Sequence, residues 1–309
     1  MNVLWIRVVS QIGIYVVFLL YALWAMRRGP HRWIPLGGAV LYAIVFEHAN
    51  MARYAHTPGG YHYHPASWCM ILGDVPLYIP LAWGFILSTS MRITEHLGIH
   101  PGARPFCDAL LALLIDLSLD AVAIRLEFWY WHGIPLNDAF FGVPADNFLG
   151  WLLVSFTFSV LTRHLWDRPQ ARPALRQALW IQWLLIPPTA YALYLLLEWP
   201  VHGVYRAIGA ETQKEQLIVV QGVVLLFLLA AGIGALRAPR PPHSERSPMD
   251  LLSLHLPRHA FHVFACVGLL CLSPALRLPE LWILAGSIWL LEVGVALTAH
   301  HRERRVLCS

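Results

Sequence analysis

Apolar runs of about twenty residues, broken by short polar segments, recur along nearly the whole chain. They cover roughly residues 8–26, 34–51, 68–90, 106–126, 147–165, 178–198, 216–236, 259–275 and 280–299. An α-helix needs ~20 such residues to cross the hydrocarbon core of a bilayer. The pattern therefore predicts an all-α fold: a polytopic transmembrane helix bundle of about nine spans, forming a single integral membrane domain over residues 1–309. The eighth and ninth runs also suit a re-entrant pair.

Composition agrees with the pattern. Hydrophobic residues make up 58% of the chain and charged residues 13%, where a soluble domain carries about 25% charge. Mean hydropathy is +0.55. The net charge of +4 is spread over the loops, so it marks no nucleic-acid face. Its distribution gives a topology instead. Sixteen of the 22 Lys and Arg fall in one alternating set of connections and the C-terminal tail. The positive-inside rule then places the N-terminus outside and the C-terminus inside, as expected for a multi-pass protein of the cell membrane. Residues 237–258, rich in Pro, Arg and Ser, read as a cytoplasmic loop. The first run, with no A-x-A-like site after it, reads as an uncleaved helix. The five cysteines are scattered, with no C-x-x-C pair, and predict neither a disulfide framework nor a zinc site.

Ionisable residues inside apolar runs are costly, which makes them functional candidates. Glu47 and His48 lie in the second run, Asp74 in the third, and Asp116 and Asp120 in the fourth, four apart and so on one helix face. Arg125 and Glu127 follow. Gln182 and Glu292 lie in later runs. Under the predicted topology, Glu47, His48, Asp74, Asp120 and Arg125 collect toward one side. The aromatic segments YHYHP, from Tyr61, and WYWHGIPLNDAFFGVPADNFLGW, Trp129–Trp151, lie beside them. These elements predict one polar, aromatic-walled cavity. The plainer alternative pairs Asp120 with Arg125 and leaves the other polar groups as glue between helices.

The residue types suggest a chemistry. Desolvation penalises a carboxylate among apolar groups, so such a carboxyl can keep its proton near neutral pH and act as an acid. A second carboxylate, held ionised by Arg125, would orient water. Together they suit hydration or isomerisation of an alkene. Protonating a trisubstituted terminal double bond gives a tertiary cation, which aromatic faces stabilise. No cofactor is required.

The run from Asp108 to Phe156 resembles the membrane carotenoid-biosynthesis family that contains the CruF-type carotenoid 1,2-hydratases. The features that carry the resemblance are Asp120, the run Val122-Ala123-Ile124-Arg125, Trp129 and Trp131, Gly142-Val143-Pro144, and Asn147-Phe148-Leu149-Gly150-Trp151. Upstream, Glu47, Tyr61-His62-Tyr63 and the block from Val75 to Trp83 are also similar. The likeness covers roughly residues 40–165. It implies addition of water to the terminal C1–C2 double bond of a linear or monocyclic carotenoid, with a carotenoid or other polyisoprenoid lipid as substrate and membrane lipid as surroundings. On this reading Asp120 is the acid, supported by Asp116 or Asp74. Glu47 orients water and Arg125 positions a carboxylate. Asn147 hydrogen-bonds at the start of its span, and Trp129, Trp131, Tyr63 and Trp151 line the polyene channel.

Two rivals come from other classes. His255, His259 and His262 share one helix face, and imidazole suits iron and zinc, as in a histidine-ligated membrane oxygenase or desaturase. The H-x-x-H-H box of those enzymes is absent. The same aromatic cavity would also serve a non-enzymatic carotenoid-binding or transport protein, and Pro76, Pro80, Pro187 and Pro188 are compatible with broken transport helices.

Overall fold

The computed structural model describes residues 3–64, 70–71, 74–166, 174–237, 248–273 and 276–307. The fold is all-helical. Helices α1 (Val3–Arg28), α2 (Pro30–Tyr54), α3 (Tyr78–His96), α4 (Arg104–Arg125) and α5 (Ala145–Trp166) form the first half. Helices α6 (Leu175–Trp180), α7 (Ile186–Ile208), α8 (Gln213–Leu236), α9 (Pro248–Cys271) and α10 (Pro279–Leu307) form the second. Each of the nine apolar runs falls within or overlaps a long helical segment. Six segments are long and apolar enough to cross a membrane: α1, α5, the α6–α7 unit, α8, and parts of α9 and α10. Helices α3 and α4 are the most enclosed by neighbours.

Three boundaries differ from the hydrophobic pattern, each for a local reason. Helix α3 starts at Tyr78 rather than near 68, because β2 (Met70–Ile71) pairs antiparallel with β3 (Val75–Pro76) just before it. Pro76 is thus a strand residue and breaks no helix. The segment expected as a loop over 237–258 is helical from Pro248 onward, the start of α9, a proline suiting the first turn because its missing N–H is unneeded there. Residues 238–247 of that segment, like Cys69 and Cys308, lie outside the described residues. Finally, Pro187 and Pro188 do not interrupt their span. A π-helical turn, Ile181–Leu185, joins α6 to α7 immediately before them. A proline ring clashes with the carbonyl four residues back, and a widened turn relieves that clash.

The π-turn also packs tightly. Trp183 Nε1 donates to the Ile34 carbonyl at 2.9 Å, and Gln182 Nε2 donates to Thr162 Oγ1 at 3.0 Å. A Cβ at Gly38 would lie 2.7 Å from Gln182 Cγ, so only glycine lets α2 approach the turn this closely.

Ion pairs tie the two ends of the bundle. At one end, Arg163 donates through Nε to Asp108 Oδ2 at 2.8 Å, and Thr94 and Ser159 each donate to the same carboxylate at 2.5 Å. Arg32, Arg92 and Arg163 converge on Glu95. These three arginines come from connections that the charge pattern put on a single side. At the opposite end, Arg7 pairs with Glu127 at 3.7 Å, and Arg53 pairs with Glu198. Between α9 and α10, Arg258 and Glu292 form a pair with no exposed surface.

Breaking a buried ion pair from one side strands a charge and costs about 3–5 kcal/mol. Asp108→Ala is therefore expected to lower the thermal unfolding midpoint of the purified protein in detergent markedly. An unchanged midpoint would show that the Asp108–Arg163 network is dispensable.

Candidate active site

The end of the bundle that carries Arg7 and Arg53 is capped by a two-stranded ribbon. In it β1 (Tyr61–Tyr63) pairs antiparallel with β4 (Trp129–Trp131), with Tyr61 opposite Trp131 and Tyr63 opposite Trp129. Side chains alternate faces along a strand. The Y-H-Y and W-Y-W sequences therefore send Tyr61, Tyr63, Trp129 and Trp131 inward and His62 and Tyr130 outward. All four inward rings line a cavity of about 570 Å³ beneath the ribbon, and Tyr130 is exposed.

Between β4 and α5 the chain makes a constrained turn. Ala139 and Phe141 have φ of 50° and 54°, and Gly142 has φ of 82°. Positive φ is unfavourable for residues with a Cβ, so the surroundings must hold it. Arg125 does this. Its guanidinium donates to the carbonyls of Ala121 at 2.8 Å, Phe141 at 2.7 Å and Leu136 at 3.0 Å. Arg125 thus clamps the loop, and among the described residues it pairs with no carboxylate, unlike either role the sequence suggested for it. A planar guanidinium has donors enough to gather three carbonyls, whereas Asp120 turns the other way, into the cavity.

One wall of the cavity carries Glu47, buried on α2. Its Oε2 accepts from Tyr61 Oη at 2.6 Å and Tyr63 Oη at 2.7 Å, and its Oε1 accepts from Trp83 Nε1 at 2.8 Å. Burial, and then the facing Glu47 charge, hold the Tyr61 and Tyr63 phenols well above the ordinary tyrosine value. Both stay protonated and act as donors. Trp83 in turn packs on Trp151, with ring centroids 4.2 Å apart.

A second wall carries Asp120 on α4 and Asn147 in the first turn of α5, with Asp116 one helical turn behind. Asp116 and Asp120 are 0% and 2% exposed. Asn147 Nδ2 lies 2.8 Å from Asp120 Oδ2, and 3.1 and 3.2 Å from the two Asp116 oxygens. The two carboxyls thus converge on one amide nitrogen. No other N–H or O–H donor among the described residues reaches either. Two such carboxyls interact favourably only when a proton lies between them, because two ionised ones would repel.

Glu47, Asp116 and Asp120 are treated differently from the other buried carboxyls. Asp108, Glu198 and Glu292 each meet an arginine. Among the described residues Glu47 accepts hydrogen bonds from neutral donors alone, and Asp116 and Asp120 share one amide. Glu198 also lines the cavity, and accepts from Tyr54 at 2.9 Å and Tyr194 at 2.6 Å. It was missed in the sequence. The only signal was a glutamate closing an apolar run, which looks like any interfacial residue. Trp83 and Tyr61, also missed as ligands of Glu47, sat within recognised blocks but had no assigned partner.

The other sequence candidates distribute as follows. Tyr63, Trp129, Trp131, Asn147 and Trp151 all line the cavity. Asp74 is exposed beside β3 and does not: the hairpin that delays the start of α3 turns it outward. His255 and His262 are buried on α9 around the Arg258–Glu292 pair. His262 Nε2 lies 4.0 Å from Glu292, and His259 Nδ1 accepts from Trp289. Among the described residues no group of three or more His, Cys, Asp or Glu is placed to hold a metal ion.

A family model described as carotenoid biosynthesis protein matches residues 7–232. Over 111 residues the chain is 32% identical to the bisanhydrobacterioruberin hydratase of Haloarcula japonica. That likeness covers 35% of this chain and 36% of the relative, so it spans about a third of that protein's length. No solved structure matches.

Leaving a buried polar group without its hydrogen-bond partner costs about 1–3 kcal/mol. Tyr63→Phe should therefore destabilise the protein, and the loss should shrink in a Glu47→Gln background. Equal losses in both backgrounds, measured by unfolding in detergent, would mean that the Tyr63–Glu47 contact contributes nothing.

Proposed function

The chain belongs to the carotenoid biosynthesis protein family, and on that premise we propose that it is a hydratase adding water across the terminal C1–C2 double bond of a linear or monocyclic carotenoid. The observation that carries this reading is the pair of arginine-free carboxyl centres, Glu47 and Asp116–Asp120, on the walls of one aromatic cavity. The name of the haloarchaeal relative, a carotenoid hydratase, points the same way.

The assigned roles follow from chemistry. Asp120, facing the cavity, donates its proton to C2 of the alkene, and Asp116 and Asn147 hold it in position. The positive charge develops at C1, a tertiary centre, where the faces of Trp83, Trp129 and Trp151 attract it through their quadrupoles. A buried carboxylate at Glu47 adds fixed negative charge, in a place where water screens it little. Glu47 Oε1 accepts one hydrogen bond from the protein and so keeps an acceptor position for water. The water oxygen bonds to C1. Its surplus proton returns to the Asp116–Asp120 pair, so the net change is alkene plus water to tertiary alcohol. Arg125 contributes by shaping the loop that carries the chain from β4 into α5. The same reading puts the ribbon on the outer side of the cell membrane, on the strength of the basic-residue asymmetry.

Expression in a host that accumulates lycopene or bisanhydrobacterioruberin tests the proposal by pigment analysis. The expected product is more polar and heavier by one water. Positioned acids contribute about 10²–10⁴-fold, so Asp120→Asn should lower turnover by that order while the protein still folds. Full turnover in Asp120→Asn would remove it as the acid. Unchanged pigment with the wild type across several polyenes would favour a carotenoid-binding role over an enzyme.

A further inference from the structure

The cavity is too small for the substrate class proposed above. Cavities of about 300–1,000 Å³ enclose drug-sized ligands, and this one, at about 570 Å³, lies mid-range. A linear carotenoid is a far longer molecule, so most of it must lie elsewhere when its end sits beside Asp120.

The shape of the cavity shows where. Its walls extend away from Asp120 and Glu47 between α1 and α9. Val9, Gly13 and Val17, four residues apart, line it from one face of α1, and Ala260, Val263 and Val267 line it from one face of α9. Three of these residues are also open at the apolar surface of the bundle: Val9 is 62% exposed, Val263 42% and Val267 47%. A residue that both lines the cavity and faces outward marks an opening. The polar end of the cavity is closed over by the ribbon, and α1 is held to that end by Arg7, which meets Glu127. Deeper in the bundle, α1 is held by Tyr21, whose hydroxyl lies 2.9 Å from Ser88 Oγ. Val9, Gly13 and Val17 fall between these two attachments.

We infer that the gap between α1 and α9 is a lateral portal through which a polyene enters end-first from the lipid, its terminal double bond reaching Asp120 while the rest of the chain stays in the slot and the bilayer. The inference rests on the hydratase reading for the identity of the end that enters. It makes the residues of the slot, Gly13 above all, determinants of substrate length. Gly13 is open: nothing lies within 4 Å of where its Cβ would be. A Cβ there meets no neighbour, so the backbone tolerates a side chain at this point of the slot. Ile12, the adjacent residue, is exposed and does not line the cavity.

The test compares wild type, Gly13→Phe and Ile12→Phe, each purified from a carotenoid-producing host. Polyene retained per protein is read by absorbance. Hydration is measured on the long carotenoid and on a short isoprenoid with one isopropylidene end. Gly13→Phe is expected to lose about tenfold or more in polyene retention and in long-substrate turnover, the scale of a misplaced substrate. It should keep turnover of the short alkene and its thermal midpoint, and Ile12→Phe should match wild type throughout. If Gly13→Phe does not fold, Ala260→Phe repeats the test from the opposite wall. The portal is overturned if the plugged variant retains and hydrates the long polyene normally, or loses both substrates equally. A wild type that retains polyene in a Gly13-dependent way yet forms no hydrate would sink the hydratase reading and leave the portal standing.

Discussion

A carboxyl group inside an apolar bundle must be hydrogen-bonded, paired or protonated, because an isolated anion there is too costly. Much of this structure follows from how that demand is met at each site. Asp108 is answered by Arg163 together with Ser159 and Thr94, Glu292 by Arg258, and Glu198 by Arg53 and two tyrosines. These centres join helices distant in sequence and fix their packing. Among the described residues, Glu47, Asp116 and Asp120 are answered without a cation. Neutral donors hold Glu47, and one amide serves both aspartates. The sites that stabilise the bundle and the site proposed for chemistry are thus separated by the kind of partner they have.

The ribbon follows from the same demand. Tyr61 and Tyr63 must reach Glu47, which requires both rings on one face of a strand, and an extended segment provides that by alternation. The strand then needs a pairing partner for its backbone, and β4 supplies it, bringing Trp129 and Trp131 over the same cavity. The turn that follows is strained at Ala139 and Phe141 and is held by Arg125. A cation that looked like the natural partner of Asp120 is instead consumed in shaping the wall. Among the described residues, that leaves Asp116 and Asp120 with no arginine or lysine partner.

The helical architecture was legible because bilayer thickness sets the length of a span and composition reveals it. Sequence periodicity also placed Asp116 and Asp120 on one face. The aromatic cavity could be anticipated because Glu47, Asp120 and the two aromatic segments fall at corresponding ends of successive helices. What periodicity could not give was the partner of each group. Asp74 sits in the expected sequence region but a short hairpin turns it to the surface. Glu198 sits at an unremarkable position but is drawn inward by Arg53, Tyr54 and Tyr194.

The chain alone therefore determined the number of apolar runs, the all-helical class, the alternation that clusters the basic loops, and the residues able to act as acids or line an aromatic wall. These are properties of single positions and their spacing. The tertiary structure decided which carboxyls have arginines, which strand covers the cavity, what Arg125 holds, and where the cavity opens between α1 and α9. Those depend on contacts between residues tens to hundreds of positions apart. Spacing along one helix does not encode them, because a hydrogen bond is specified by the three-dimensional approach of two partners.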